Sequence, residues 1–290
     1  MKKIKYLIFL FALVTAVSCS EDKLDKTSVI TDPIRTENDL DRWIFTNYIG
    51  IYNIDLKYRM EDIETDMNYN LVPVKFDKSI IMSQLVKFLC LEAYDEATGS
   101  TEFIRSYFPK IINLVGSAAY RNNGTMVLGT AEGGRKITLY YINSLKMDDI
   151  EFLNKYYFQT IHHEFVHILH QTKPYSADFK EIRGSDYVAD NWNDYTQEDA
   201  LKLGFITPYA SNAVDEDFAE IMSMFLTLNP QEWNARLVAA GSSGRSKIEA
   251  KFDILQVYLR DSWEIDIYAL RDIIGRRFVE LDDHDFTHLN

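Results

Sequence analysis

Four of the chain's six histidines fall within residues 158–174, "FQTIHHEFVHILHQTKP", whose remaining residues read as an amphipathic helix. A helix turns about 100° per residue, so with His163 at zero, His167 falls near 40° and His170 near −20°. Ile161, Phe165, Ile168 and Leu169 gather on the opposite side. One face is therefore built to bury, while the other collects imidazoles. Residues four apart on a helix have Cβ atoms about 5–6 Å apart, so the rings of His163 and His167 can meet on one cation at about 2.0–2.1 Å. Glu164, near 100°, lies close to that cation but turned away from direct ligation, where it can take a proton from a metal-bound water. His162 falls at the edge of the stripe and is expected to pack or hydrogen-bond there. This is the H-E-x-x-H arrangement, in which each letter has a mechanical role.

The rest of the chain supplies a frame for such a helix. "NLVPVKF" (70–76), "KIINLVGS" (110–117) and "TMVLGTA" (125–131) read as strands. "EGG" is a turn signal before "KITLYYI", which makes 125–142 a hairpin. Residues 78–96 have helical apolar spacing. The histidine helix itself should run from Asp148 or Asp149 as its cap to about Lys173, because Pro174 forbids continuation. Residues 175–213 read as loops with a short helix near "QEDALKLG". From Asp215 onward the pattern is helical, broken near "TLNP" and "GSSG". Strands first and helices after predict the α+β class, a small mixed or antiparallel sheet leading into a mainly helical C-terminal lobe. The oxygen-rich stretch 185–199 lacks an EF-hand spacing and reads as a solvated loop.

A hydrolytic zinc needs three protein ligands and an open position. His170 stands almost two turns from His163, too far to share one small ion with it, so it is expected to line the cleft or orient a neighbour. The better source of a third ligand is "NAVDEDFAEIMSMF", residues 212–225, where Glu216 and Glu220 share a face at i and i+4. The segment resembles the N-E-x-F-A-E stretch of the gluzincins, zinc peptidases whose third ligand is a glutamate. That resemblance implies Glu216 as ligand and Glu220 as the carboxylate holding a ligand histidine by its other nitrogen, with Asp215 in reserve. Together "YNIDLKYR", "HHEFVHILHQ", "GFITPYA" and "EDFAE" make residues 38–285 resemble the zinc-binding metallopeptidase lipoproteins. These are often found beside the outer-membrane glycan-uptake systems of gut bacteria. The resemblance implies a zincin-like fold, one Zn²⁺ on His163, His167 and Glu216, and hydrolysis of peptide bonds with Glu164 as general base. Tyr209, just upstream of the Glu216 helix, is a candidate second electrophile for the oxyanion. The strand "KITLYYI" is a candidate edge for pairing with an extended peptide or protein substrate.

Residues 1–18 read as a targeting segment: three lysines, an apolar stretch too short for a comfortable span, then small residues. "TAVSC" resembles a bacterial lipobox, which implies a lipidated Cys19, a tether over 19–37 and a folded domain over 38–290 anchored at the outer membrane. An ordinary cleaved signal peptide is the alternative, and either way the protein leaves the cytoplasm. With Cys19 lipidated, Cys90 stands alone as a buried apolar residue, and the 47% hydrophobic composition must hold the fold by its core. Losing residues 1–18 takes three lysines and no acid, moving the charge from −13 to −16. That sign opposes nucleic acid as a partner. Two other function classes fit the same residues. One is a non-catalytic zinc-containing accessory protein of a glycan-uptake complex; the other is a zinc amidase acting on a non-peptide amide. Glu164 disfavours the first, since a structural zinc needs no general base.

Overall fold

The computed structural model describes residues 37–289 except 65, 67, 121–125, 128, 133 and 134. Cys19 and the predicted signal and tether lie outside the described residues. Residues Asn38–Asn290 form one compact unit. It is a helix-rich α+β structure with a small sheet.

The chain opens with helix α1 (residues 39–52), capped by a reciprocal pair in which Asn38 and Asp41 bond each other's backbone N–H. Strand β1 (Asp55–Lys57) pairs in parallel with β2 (Ile111–Leu114), and β2 with β6 (Lys136–Leu139). Parallel neighbours need a crossover, and α2 (residues 76–98) with α3 (Glu102–Tyr107) provides the first one. A minor ribbon, β3 (Ala119–Tyr120) with β4 (Met126–Val127), precedes β5 (Gly129–Glu132), which turns back antiparallel onto β6. The predicted 125–142 hairpin is therefore present, but its first strand is split in two. The sheet order β1-β2-β6-β5 puts "KITL" inside the ladder and leaves the edge to β5. The expectation that "KITLYYI" is the edge strand is corrected accordingly.

"NLVPVKF" is not a strand. Only Pro73 bridges to Val115, because proline brings no N–H to a ladder. The segment is latched instead by Asn143, whose Nδ2 donates to the Pro73 carbonyl at 3.2 Å and whose Oδ1 accepts from Lys75 N at 2.7 Å. Phe76 then starts α2.

Helix α4 (residues 150–172) carries the histidines. Asp149 caps it by accepting from Phe152 N, a π turn occupies Asn154–Phe158, and Lys173 leaves helical geometry just before Pro174. Ile161, Phe165 and Leu169 are buried on its inner face. Phe165 meets the rings of Tyr94, Phe103 and Phe108 at 5.0–5.7 Å, and β5 lies beside the same helix. Cys90 is buried in α2, as expected of a small apolar side chain.

Four further helices complete the unit after the short α5 (Gln197–Leu203): α6 (Val214–Thr227), α7 (Pro230–Ala239), α8 (Gly241–Trp263) and α9 (Ile267–Val279). Every residue of α6 from Asp217 to Thr227 is buried, so this helix runs through the core. The break expected near "GSSG" falls at Ala240–Gly241, where Gly241 takes a φ of +65°. "GSSG" itself opens α8, because Gly244 is the point of closest approach to α5: a methyl there would lie 2.1 Å from the Leu201 carbonyl oxygen. One further break, at Glu264, has no glycine or proline signal; Glu264 adopts φ +58° as the C-cap of α8.

Candidate metal centre

Helices α4 and α6 lie side by side and antiparallel: His163 meets Glu220, and nine residues back along α4 Asn154 Nδ2 donates to the Thr227 carbonyl at 2.9 Å. That packing turns the imidazole face of one helix toward the acidic first turns of the other. His163 Nε2 lies 3.0 Å from Glu216 Oε2 and 3.1 Å from His167 Nε2, and the third side of the triangle, His167 Nε2 to Glu216 Oε2, is 3.4 Å. A tetrahedral ion with bonds of about 2.0–2.1 Å requires its ligand atoms to be about 3.3–3.4 Å apart. The three donors present, two imidazole nitrogens and one carboxylate oxygen, thus fit a zinc-sized cation in both spacing and chemistry. Among the described residues this is the group of histidine, cysteine and carboxylate side chains able to hold an ion.

The outer nitrogens of both rings are engaged. His163 Nδ1 donates to Glu220 Oε1 at 2.8 Å, and Glu220 Oε2 accepts from the Thr207 hydroxyl at 2.5 Å, which in turn accepts from Ala210 N at 3.1 Å. His167 Nδ1 lies 2.9 Å from His170 Nε2. With a proton on each Nδ1, both Nε2 lone pairs point into the triangle, the tautomer a cation requires. Burial opposes a charge on His163, but hydrogen bonds to Glu216 and Glu220 outweigh it and lift the imidazole to about 10. At Glu216 burial is opposed and overcome by the hydrogen bonds and charges of His163 and His167, which hold its carboxyl well below the usual carboxylate range. The cluster is built to hold positive charge.

Glu164 is partly buried and makes no hydrogen bond or ion pair among the described residues. Burial pushes its pKa up, against the pull of His163 and His167. Tyr209 is half-buried with its ring 5.8 Å from that of His163. Burial, then the charge of Glu216, pushes the phenol well up. Asp215 lies outside the cluster: it is exposed and accepts from the Tyr175 hydroxyl at 2.5 Å. His170, buried between the rings of Tyr175 and Phe218, contacts His167 rather than the triangle. His162 is wholly buried, shares a hydrogen bond of 3.1 Å with the Tyr94 hydroxyl, and is driven down to about 3 by burial. The "SDYVADNWNDYTQED" stretch contributes Trp192, whose ring packs edge-on against Tyr209 at 5.1 Å.

His170 does face a neighbour, His167, as expected, but nothing in the sequence singled out Thr207. A threonine before Pro208 has no ligand spacing, and only its place three residues before Ala210, in a turn that brings it under α6, gives it a partner. Glu216→Ala is expected to weaken zinc binding by more than hundredfold in chelator competition. Glu220→Ala should weaken it about ten- to hundredfold, the usual effect of losing a partner that orients a ligand, and Asp215→Ala should leave it unchanged. A larger loss from Asp215→Ala than from Glu216→Ala would reassign the centre.

Residues 33–268 match the family model described as "Putative zinc-binding metallo-peptidase". The fold is similar to the crystal structure of a putative zinc-binding metallo-peptidase from Bacteroides caccae ATCC 43185, with 43% identity and a TM-score of 0.78. That match covers 86% of this chain and 95% of the other. No curated protein matches.

Proposed function

Because this chain belongs to the family described as "Putative zinc-binding metallo-peptidase", we propose that it is a zinc-dependent peptidase of gluzincin type, with a zincin-like arrangement of sheet and active-site helix. The observation that carries the reading is the triangle of His163 Nε2, His167 Nε2 and Glu216 Oε2 at 3.0–3.4 Å with Glu164 on the same helix, uncommitted to any partner. Zinc on those three atoms would supply Lewis acidity, polarising an amide carbonyl and acidifying water.

The chain's own groups do the rest. Glu164 accepts a proton at its carboxylate and hands it to the departing amine, a cycle that a partly buried carboxyl with a raised pKa favours. The Tyr209 hydroxyl donates a hydrogen bond to the charge that develops on the carbonyl oxygen. Glu220 with Thr207 orients His163, and His170 orients His167, so the ligand rings keep their tautomer through the cycle. The outer edge of β5, beside α4, is the backbone available to an extended peptide.

Unbiased peptide-library digestion by the zinc-loaded protein tests the reading. Cleavage that stops on chelation and returns with zinc supports it; an intact library at full zinc occupancy sinks it. The same reading puts the domain outside the cytoplasm on a lipid at Cys19, motivated by the "TAVSC" sequence. Cys19→Ala protein should then leave the membrane fraction, and its retention there would exclude that anchor.

A further inference from the structure

Beside the metal centre a cavity of about 780 Å³ opens over the seam between α4 and α6, within the size range of ligand sites. Its near wall is made by Gln159, one turn before His163, by Met224, one turn after Glu220, and by Thr207, which holds Glu220. Gln197 and Arg236 form the facing wall. One helical turn rises about 5.4 Å, and an extended peptide advances about 3.3–3.4 Å per residue. The near wall of the cavity thus begins about one helical turn from His163, a span of one or two extended residues.

Arg236 is the unusual group there. Its guanidinium is half-buried and donates from Nη1 to the Ile206 carbonyl at 2.9 Å and to Gln197 Oε1 at 3.4 Å. Both acceptors are neutral, and among the described residues no carboxylate lies within ion-pair distance of it. Its nearest acids are engaged elsewhere. Glu232, four residues back on α7, closes the capping box at Asn229, and Glu220 is held by His163 and Thr207. Burial lowers the Arg236 pKa and the charges of Glu220 and Glu232 push back from a distance, yet arginine stays charged at any ordinary pH. At the rim Glu151, Lys155 and Glu232 are exposed and also line the cavity, so Arg236 is its half-buried charge. The guanidinium thus retains donors of its planar fork, whose shape matches a carboxylate bidentately.

We propose that Arg236 anchors a carboxylate subsite, so that the enzyme selects peptides carrying a carboxylate within one or two residues of the scissile bond. The inference rests on the peptidase reading. The carboxylate is either an aspartate or glutamate side chain or the peptide's own C-terminus, and the chemistry of recognition is the same.

The test uses zinc-loaded full chain and quenched fluorescent peptides in two matched pairs: glutamate against glutamine beside the scissile bond, and free against amidated C-terminus. The carboxylate member of one pair is expected to be cleaved about ten- to hundredfold faster in kcat/KM, the range for a charge-assisted hydrogen bond, and the pair that responds identifies the source. Arg236→Gln, which keeps a donor for the Ile206 carbonyl, should bring that ratio close to one while zinc affinity is kept. Arg236→Lys, with the charge but not the fork, should retain part of the ratio. Equal cleavage within both pairs by wild type, or an unchanged ratio in Arg236→Gln, overturns the subsite. If no peptide is cleaved, the peptidase reading fails, and calorimetric binding of N-acetylglutamate against N-acetylglutamine decides the subsite alone. Preference for the acid that is lost in Arg236→Gln supports it, and equal binding overturns it.

Discussion

Zinc-loaded Glu164→Gln protein is expected to hold the ion as tightly as wild type and to cleave peptides about 10²- to 10⁴-fold more slowly, the usual contribution of a positioned general base. Separation of the two readouts follows from the geometry. Glu164 is absent from the triangle formed by His163, His167 and Glu216, whose sides are 3.0, 3.1 and 3.4 Å, so removing its charge leaves every donor atom in place. Glutamine has nearly the same volume and cannot take up a proton at that position. Metal analysis gives the stoichiometry and single-turnover kinetics the rate. Unimpaired cleavage by Glu164→Gln would remove this residue from the mechanism, and loss of zinc would mean that it ligates.

Lys251→Met is expected to lower stability by about 3–5 kcal/mol, the cost of breaking a buried ion pair on one side, and to lower Tm by roughly 6–20 °C. Lys251 on α8 and Asp217 on α6 are both fully buried and in contact. Lys251 Nζ also donates to the Gly204 carbonyl at 2.9 Å, and Asp217 Oδ2 accepts from the Tyr187 hydroxyl at 2.9 Å. Without the lysine the carboxylate keeps one hydroxyl donor and loses its counter-charge. Burial already pushes the Asp217 pKa up, and Lys251 is the main force holding it down. In the variant the folded pKa therefore rises well above the unfolded value. Wild-type Asp217 is already raised to about 6, so the variant binds an extra proton only between that value and its own higher pKa; the deficit shrinks as pH falls through that window and is largest above it. Thermal unfolding at pH 5 and pH 8 checks both parts. Adding Asp217→Asn should recover part of the loss, since an amide still accepts from Tyr187. A deficit under 1 kcal/mol at pH 8 would mean that water reaches the pair.

The pair also shows what can be read from sequence and what cannot. In α8, Lys251 falls on the stripe of Ile248, Phe252, Leu255 and Leu259, and in α6 Asp217 precedes a run of buried residues. Opposite charges on two apolar stripes are a legible sign of a buried pair, though nothing in either helix alone says they meet. The histidine helix is legible for a stronger reason: its period, its Asp149 cap and the Pro174 stop all agree with its ligand spacing. The 70–76 segment misleads because alternating apolar residues mimic a strand, while Pro73 denies the ladder a donor and Asn143 supplies the hydrogen bonds instead. Edge position in the sheet depends on parallel crossovers, and local patterning says nothing about those. Arg236 and Thr207 acquire partners only when α7 and the 204–210 turn close over α6, so no spacing along the chain announces them.

The triangle of donor atoms has one more consequence. The two helices that carry it are fastened by the surrounding core, by Asn154 to Thr227 and by Lys251 to Asp217. Small zinc modules collapse when stripped because the ion organises their chain. Here a core far larger than the centre holds the two helices, so the ion should act as a replaceable fitting. The protein should survive dialysis against a chelator as a folded species and accept cobalt in exchange, which opens the centre to optical spectroscopy.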